Sequence, residues 1–450
     1  MIARILAILL LAGQAGEFFN DSRIVSSFAV ISDVHVNGRQ APSEKFHTAL
    51  EQLKAEALKD DADGLDAVLV AGDLIDWAYN NPKHVAQIDC FKRDYEACLD
   101  PLRVPMIYTP GNHDLYKQWT PNSFKEAAKL RVRLGDNYFR TDIDNESREA
   151  MECRHCVVKG VHILTMLPVG YSPVVYDPRA LDWLSYTLKS ITTAEPDAFV
   201  LILTHPMTYN TVYGSDLGEY WYSAQLNPIL ENFPQAVVFG GHLHFALNDP
   251  RSIWQGAFTS VGTASVSYMS VEDGGFEDMK SQFEMKDCYQ FSQGLLLQFD
   301  SEGNMRIRRM DFHNSAVIGE DWVLPHPAAD GHFAKPYDHE ALAAANRAPK
   351  LSKAAVEKRD SSYVLRFQAA KDDCFAHHYV ISLSTRDSLV FEKRLLADFY
   401  KVPSPSMMKK DWELDLGVLP EGRYKINLVA VDSWGRNSNK ICRRFRVAKD

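Results

Sequence analysis

Short apolar runs alternate with helix-period stretches from residue 28 onward. Runs at 28–31, 67–71 and 105–109 predict strands, and the amphipathic stretches between them, 43–59 and 84–99, predict helices. The rhythm β-α-β-α-β continues with strands at 157–167, 199–204 and 236–239 and helices at 178–190 and 224–233. It implies an α/β unit, a layered sheet with helices packed on its faces. Residues 313–350 are rich in Pro and Ala, hold no apolar period and predict a linker. Beyond them, 363–367, 379–383, 389–391, 412–416, 424–431 and 442–447 are short alternating runs with no helix between them, and turn residues sit at 420–422 and 432–436. The expected division is therefore an α/β domain over 26–315, a linker over 316–347 and a small all-β sandwich over 348–450.

Composition narrows the class. The 450 residues are 46% hydrophobic and 24% charged, which is ordinary for globular domains. A formal net charge of -10 argues against a nucleic-acid partner, because a polyphosphate backbone rewards Lys and Arg. The apolar run at 5–13, with small residues at Gly13 and Ala15, reads as a signal peptide over 1–15 and is too short to cross a bilayer. A periplasmic or secreted location is expected. Seven cysteines are too few for a disulfide scaffold, and Cys153-x-x-Cys156 lacks the second pair of a zinc knuckle. Cys90 and Cys98 fall eight residues apart in one predicted helix and are not expected to pair.

The chemistry collects just after the strands, where layered α/β sheets bind ligands. Asp33 and His35 follow the first strand, Gly72-Asp73 and Asp76 the second, and Gly111-Asn112-His113-Asp114 the third. His205 follows the strand at 199–204, and Gly240-Gly241-His242-Leu243-His244 that at 236–239. Five loops thus carry carboxylate, imidazole and amide side chains to one edge. A pair of divalent ions needs such a set, with one carboxylate able to bridge.

Taken in order, Asp-x-His, Gly-Asp-x-x-Asp, Gly-Asn-His-Asp, His and Gly-His-x-His resemble the signature of the calcineurin-like metallophosphoesterases across residues 28–244. The resemblance implies a layered β-sandwich flanked by helices. It places Asp33, His35, Asp73 and His244 on one metal and Asp73, Asn112, His205 and His242 on the other, with Asp73 as the bridge. It also implies a hydroxide held between two transition-metal ions for in-line attack on phosphorus. His113 would touch the phosphate and protonate the leaving oxygen, its ring oriented by Asp114 or Asp76. Asp76 stands near where purple acid phosphatases carry a tyrosine, which argues against an iron-tyrosinate centre and leaves Mn, Fe and Zn open. The C-terminal strands resemble an immunoglobulin or fibronectin type III module.

Aromatic residues Tyr209, Tyr213, Tyr220, Trp221 and Tyr222 follow His205, and a loop at 266–291 rich in aromatic and acidic residues follows His244. Either they set substrate choice or they pack the loops onto the body. Basic residues near the motifs are scattered: Arg39, Lys117 and Arg251. The expected function is a two-metal phosphodiesterase acting on a small or lipid-like organic phosphate. A phosphomonoesterase, a cytosolic cyclic-nucleotide phosphodiesterase and a surface binding protein with a vestigial site are the alternatives. Oligomeric state is left open by the sequence.

Overall fold

The computed structural model describes residues 19–76, 81–115, 119–135, 151–270, 285–327 and 331–448. The expected signal peptide lies outside the described residues, as do Lys117 and much of the loop after His244. Two compact units emerge, one running essentially to Ala341 and one from Leu342 to Asp450.

The first unit is built on two sheets. In one, Ile24–Ile31, Ala67–Ala71 and Met106–Thr109 run parallel, and Gln293–Asp300 and Met305–Asp311 extend the other edge antiparallel. In the other, Val161–Thr165, Val200–Leu203, Ala236–Gly240 and Thr259–Gly262 run parallel, with antiparallel Arg154–Val158 and Ile253–Gln255 at the rims. The strand residues are buried whichever way they point: Val68 and Val70 lie with the helices Gln40–Asp60 and Asn81–Cys98 in one core, while Ala67 and Leu69 turn to the other face. In the second sheet, Val200 and Ile202 pack with the helix Pro178–Ala194. Burial on both faces explains why these strands read as continuous apolar runs and not as alternating ones. The result is a β-sandwich with helices outside. Thr109 ties the sheets together by donating its hydroxyl to the Met166 carbonyl at 2.7 Å.

Three expectations are corrected and two strands are added. The run at 157–167 is a hairpin, Arg154–Val158 and Val161–Thr165, turned by Lys159 and Gly160 at φ 52° and 83°. The helix expected at 224–233 is one turn, Asn227–Leu230. The strands Gln293–Asp300 and Met305–Asp311, which the strand-helix rhythm does not reveal, complete the first sheet. The segment expected as a linker begins inside that sheet: Ala316–Val317 and Trp322–Leu324 both pair with Met305–Asp311. Its anchors are the buried side chains of Trp322–Leu324 and the carboxylate of Asp321, 3.1 Å from the Arg308 guanidinium.

The second unit is all-β. Ala354–Arg359, Ser362–Gln368 and Asp411–Gly417 form one antiparallel sheet; Leu389–Leu396, Ala376–Ser384, Gly422–Asp432 and Ile441–Val447 form the other. Alternation decides the inward face: Tyr379, Ile381 and Leu383 are buried while Val380 and Ser382 are partly exposed. The Tyr424 hydroxyl donates to the Pro420 carbonyl at 2.9 Å and closes the corner before its strand. All seven cysteines are free thiols, and burial pushes Cys153 up to about 12. No helix among the described residues is long and apolar enough to cross a membrane.

A fragment of residues 348–450 carries its own core and is expected to melt cooperatively by circular dichroism. In it Ile381→Ala should cost about 2–5 kcal/mol of stability. An unfolded fragment would show that the sandwich depends on the first unit.

Candidate metal centre

Each candidate ligand sits where a strand has just ended, and the backbone there is unusual. Asp33, His35, Asp73, His242 and His244 all have positive φ, between 50° and 67°. Non-glycine residues pay for this left-handed geometry, and it persists only where the surroundings over-determine it. Here the surroundings are backbone hydrogen bonds between loops: Val34 and His35 both donate to the Asp73 carbonyl, at 2.8 and 3.1 Å. Close packing adds to them. A Cβ on Gly111 would stand 2.0 Å from Asp73 Oδ1, and one on Gly72 2.3 Å from His205 Nδ1.

Three clusters of metal-type groups result; one joins His35, Asp76 and His113, and the two fully buried triads are Asp33 with His35 and His244, and Asp73 with His205 and His242. His244 Nε2 is 2.8 Å from Asp33 Oδ1, and His205 Nε2 is 3.2 Å from Asp73 Oδ2. Asp73 Oδ2 is also 3.8 Å from His35 Nε2, so this one oxygen lies between the triads. The other, Oδ1, accepts the His113 backbone N–H at 2.9 Å. Asp33 is held similarly: its Oδ2 accepts from the Ser32 hydroxyl and, at 3.1 Å, from the His242 backbone N–H.

The rings are oriented from behind by backbone carbonyls. His205 Nδ1 donates to Ala71 O at 2.7 Å, His244 Nδ1 to Tyr268 O at 3.0 Å and His242 Nε2 to Tyr220 O at 2.9 Å. In a neutral imidazole these bonds leave the opposite nitrogen as a lone pair. The lone pairs of His205 and His244 then face carboxylate oxygens, acceptor against acceptor. Asn112 Oδ1 is likewise buried with no hydrogen-bond partner. A pair of divalent cations would satisfy these atoms, and the mixed nitrogen and oxygen donor set suits transition metals.

Titration follows the same geometry. Burial disfavours charge on His205, but Asp73 and Asp33 outweigh it and lift the imidazole to about 9. Burial and the neighbouring His205 push His242 down to about 3, and burial with His113 pushes His35 down to about 4. Burial would raise Asp33, yet His244 and His205 bring it to about 2, and Asp73 falls well below the usual carboxylate range against the same burial, chiefly through His205 and His113.

His113 stands apart as the more accessible histidine, with 23% of its side chain exposed against 0–5% for His35, His205 and His244. Its Nδ1 lies 3.5 Å from Asp76 Oδ1 and its Nε2 3.9 Å from Asp73 Oδ2. Burial opposes its charge, but Asp73 and Asp76 raise its pKa above the ordinary histidine value. Of the two carboxylates expected to orient this ring, Asp76 is the neighbour. Asp114 instead accepts the backbone N–H groups of Gly111 at 2.8 Å and Ile75 at 3.1 Å, which staples two site loops together. Burial, then Asp73, pushes its own pKa up to about 7.

Aromatic rings wall the triads. Between ring centroids, Trp119 lies 5.7 Å from His205 and 5.6 Å from His242, Trp221 is 4.6 Å from His242, and Tyr268 is 4.4 Å from His244. Tyr171 and Tyr220 lie 6.2 Å apart beside them. Of the aromatics expected after His205, Tyr220 and Trp221 reach the site. Tyr209 pairs with Tyr222, and Tyr213 packs on Phe245 beneath Arg251. Trp119 and Tyr171 were not singled out from the sequence: each lies in a segment without a metal-type motif, and only folding brings it to the second triad.

Removing the shared carboxylate should undo both triads at once. Asp73→Asn is expected to lose at least one of two bound ions by elemental analysis and most of the activity. Because metal must displace the proton that Asp73 and Asp33 favour on His205, apparent metal affinity should climb as pH rises from the unperturbed histidine range toward about 9. Chelator competition across that window checks the sign; a flat profile would mean that His205 binds no metal.

Comparison with known families agrees with this geometry. Residues 26–246 match the family model for calcineurin-like phosphoesterases. A purple acid phosphatase from yellow lupin (Lupinus luteus) seeds is 13% identical, with a TM-score of 0.46, and the match covers 70% of this chain and 56% of that one. A 5'-nucleotidase precursor from Thermus thermophilus is 13% identical, with a TM-score of 0.35, over 71% of this chain and 58% of that one. The match thus spans less than two thirds of either structure's length. No curated protein matches the chain in sequence. Over residues 26–246 the chain is thus similar to the calcineurin-like phosphoesterases, and within that stretch its clusters of carboxylate and imidazole fit metal ions.

Proposed function

We propose that the chain is an exported phosphodiesterase acting on small or lipid-like organic phosphates. The observation that carries the diester reading is the character of the walls. Rings of Trp119, Tyr171, Trp221 and Tyr268 surround the triads, and among the described residues no Lys or Arg forms an ion pair with Asp33 or Asp73. A monoester dianion asks for extra cationic contacts, whereas a diester brings one charge and a second arm that uncharged aromatic area can cover.

Asp33, His35 and His244 on one side and Asp73, His205 and His242 on the other would hold divalent ions, which when bound would supply an activated water and neutralise charge developing on phosphorus. The chain's own residues do the rest. Asp73 fixes the spacing between the triads through Oδ2 while the His113 backbone N–H holds Oδ1. His113, charged more readily than an ordinary histidine and backed by Asp76, donates a proton to the departing oxygen. The aromatic walls exclude water from the arm of the substrate that does not react.

Export rests on the apolar run at 5–13 and the small residues that follow it. For the second unit, an immunoglobulin or fibronectin-like assignment is supported by its two antiparallel sheets and the Tyr424 hydroxyl bonded back to Pro420.

Comparing kcat/KM for bis-p-nitrophenyl phosphate and p-nitrophenyl phosphate, with one metal at one pH, tests the substrate class. A higher value for the diester is expected, and a clear monoester preference would overturn it. His113→Ala should keep its metal yet slow turnover, most for leaving groups of high pKa; an equal loss across leaving groups would reduce His113 to a phosphate contact.

A further inference from the structure

The charge of the chain is divided unequally. Residues 342–450 hold 21 Lys and Arg against 13 Asp and Glu, in a protein whose overall formal charge is -10. Part of this excess lies on one face. The strands Gly422–Asp432 and Ile441–Val447 pair so that Arg423 stands opposite Arg446 and Lys425 opposite Arg444. Tyr424 and Ile426 between them point into the core, so all four cations project outward, and all four are exposed. None of the four makes an ion pair among the described residues. Like charges directly opposite on a sheet destabilise it, so folding alone gives no reason for two such pairs in succession.

Exposed aliphatic side chains share that end of the sheet. Lys425 pairs with Ser384, which in turn pairs with Leu389 across the next hairpin. Leu389 is 61% exposed and Val390 44%; Val418, in the loop that leads into Gly422, is 72% exposed. Asp387 and Glu421 are the acids of the two loops at this end.

We propose that this face of the second unit docks on an anionic phospholipid bilayer. Unpaired cations answer the negative surface, and aliphatic side chains beside them enter the interfacial region. The outward positions around these four cations carry no Phe, Tyr or Trp on which bases could stack, so nucleic acid fits less well.

Sedimentation of the full chain with vesicles tests this. Binding is expected to vesicles of phosphatidylcholine with phosphatidylserine, not to phosphatidylcholine alone, and to weaken as salt rises. The double variant Arg423→Gln/Arg444→Gln should lose about fivefold in vesicle affinity per cation removed. It should hydrolyse a soluble nitrophenyl ester at the unchanged rate and melt no lower, since one member of each like-charge pair is gone. Leu389→Ser/Val418→Ser should weaken binding while leaving its salt dependence intact. Equal binding to neutral vesicles would overturn the proposal, as would no binding to either vesicle. Retention on immobilised duplex DNA or heparin without vesicle binding would assign the face to another polyanion and overturn it as well.

Discussion

Everything in the first unit answers to two buried carboxylates and the imidazoles that face them. Asp33 and Asp73 are sealed from solvent, and the rings beside them are turned by backbone carbonyls of Ala71, Tyr220 and Tyr268 so that lone pairs point inward. Negative oxygen opposite a lone pair, in a medium that solvates neither, is tolerable only with positive charge between them. Protons on His205 can supply some of that charge, as its elevated pKa indicates, but the protons compete with metal for the same atoms. The constellation is therefore frustrated without a cation and satisfied with one.

Holding it demands rigidity that loops alone lack. Five candidate ligand residues adopt left-handed backbone geometry, each at a cost on the order of 1–3 kcal/mol. The two sheets supply the compensation, because their strands are buried on both faces and end at the same edge. The small residues serve the same end: with Gly111 against the Asp73 carboxylate and Gly72 against the His205 ring, side chains occupy the space where another Cβ would stand. Asp114 belongs to this support, since its carboxylate joins the loops that carry Asp73 and Asn112 through two backbone N–H groups.

Much of this arrangement was legible in the sequence because each candidate ligand lies within a few residues of the strand that positions it. Asp33 follows Ile31, Asp73 follows Ala71 and His205 follows Leu203, so apolar run and polar motif appear together. What escaped was non-local. The antiparallel strands Gln293–Asp300 and Met305–Asp311 break the strand-helix rhythm, and Trp322–Leu324 is too short to show a period although the sheet buries it. Pro228 and Pro234 restrict the run expected as a helix at 224–233 to a single turn. Trp119 and Tyr171 reach the second triad only through tertiary packing, and the choice between Asp76 and Asp114 as the partner of His113 turns on side-chain direction, which spacing does not encode.

Charge offers the clearest case of an average concealing its parts. A net -10 argues against any polyanionic partner only if the charges act together, yet in physiological salt a charge is felt over about 8 Å. At that range the four cations on the outer face of the second unit act as a local group, and acids elsewhere in the chain are screened from whatever approaches them. Two like-charged cross-strand pairs also weaken the sheet that bears them, so their presence is a cost that folding does not explain. Such a cost is readily understood when the face has a partner that neutralises it, because binding then removes the repulsion that the free protein carries.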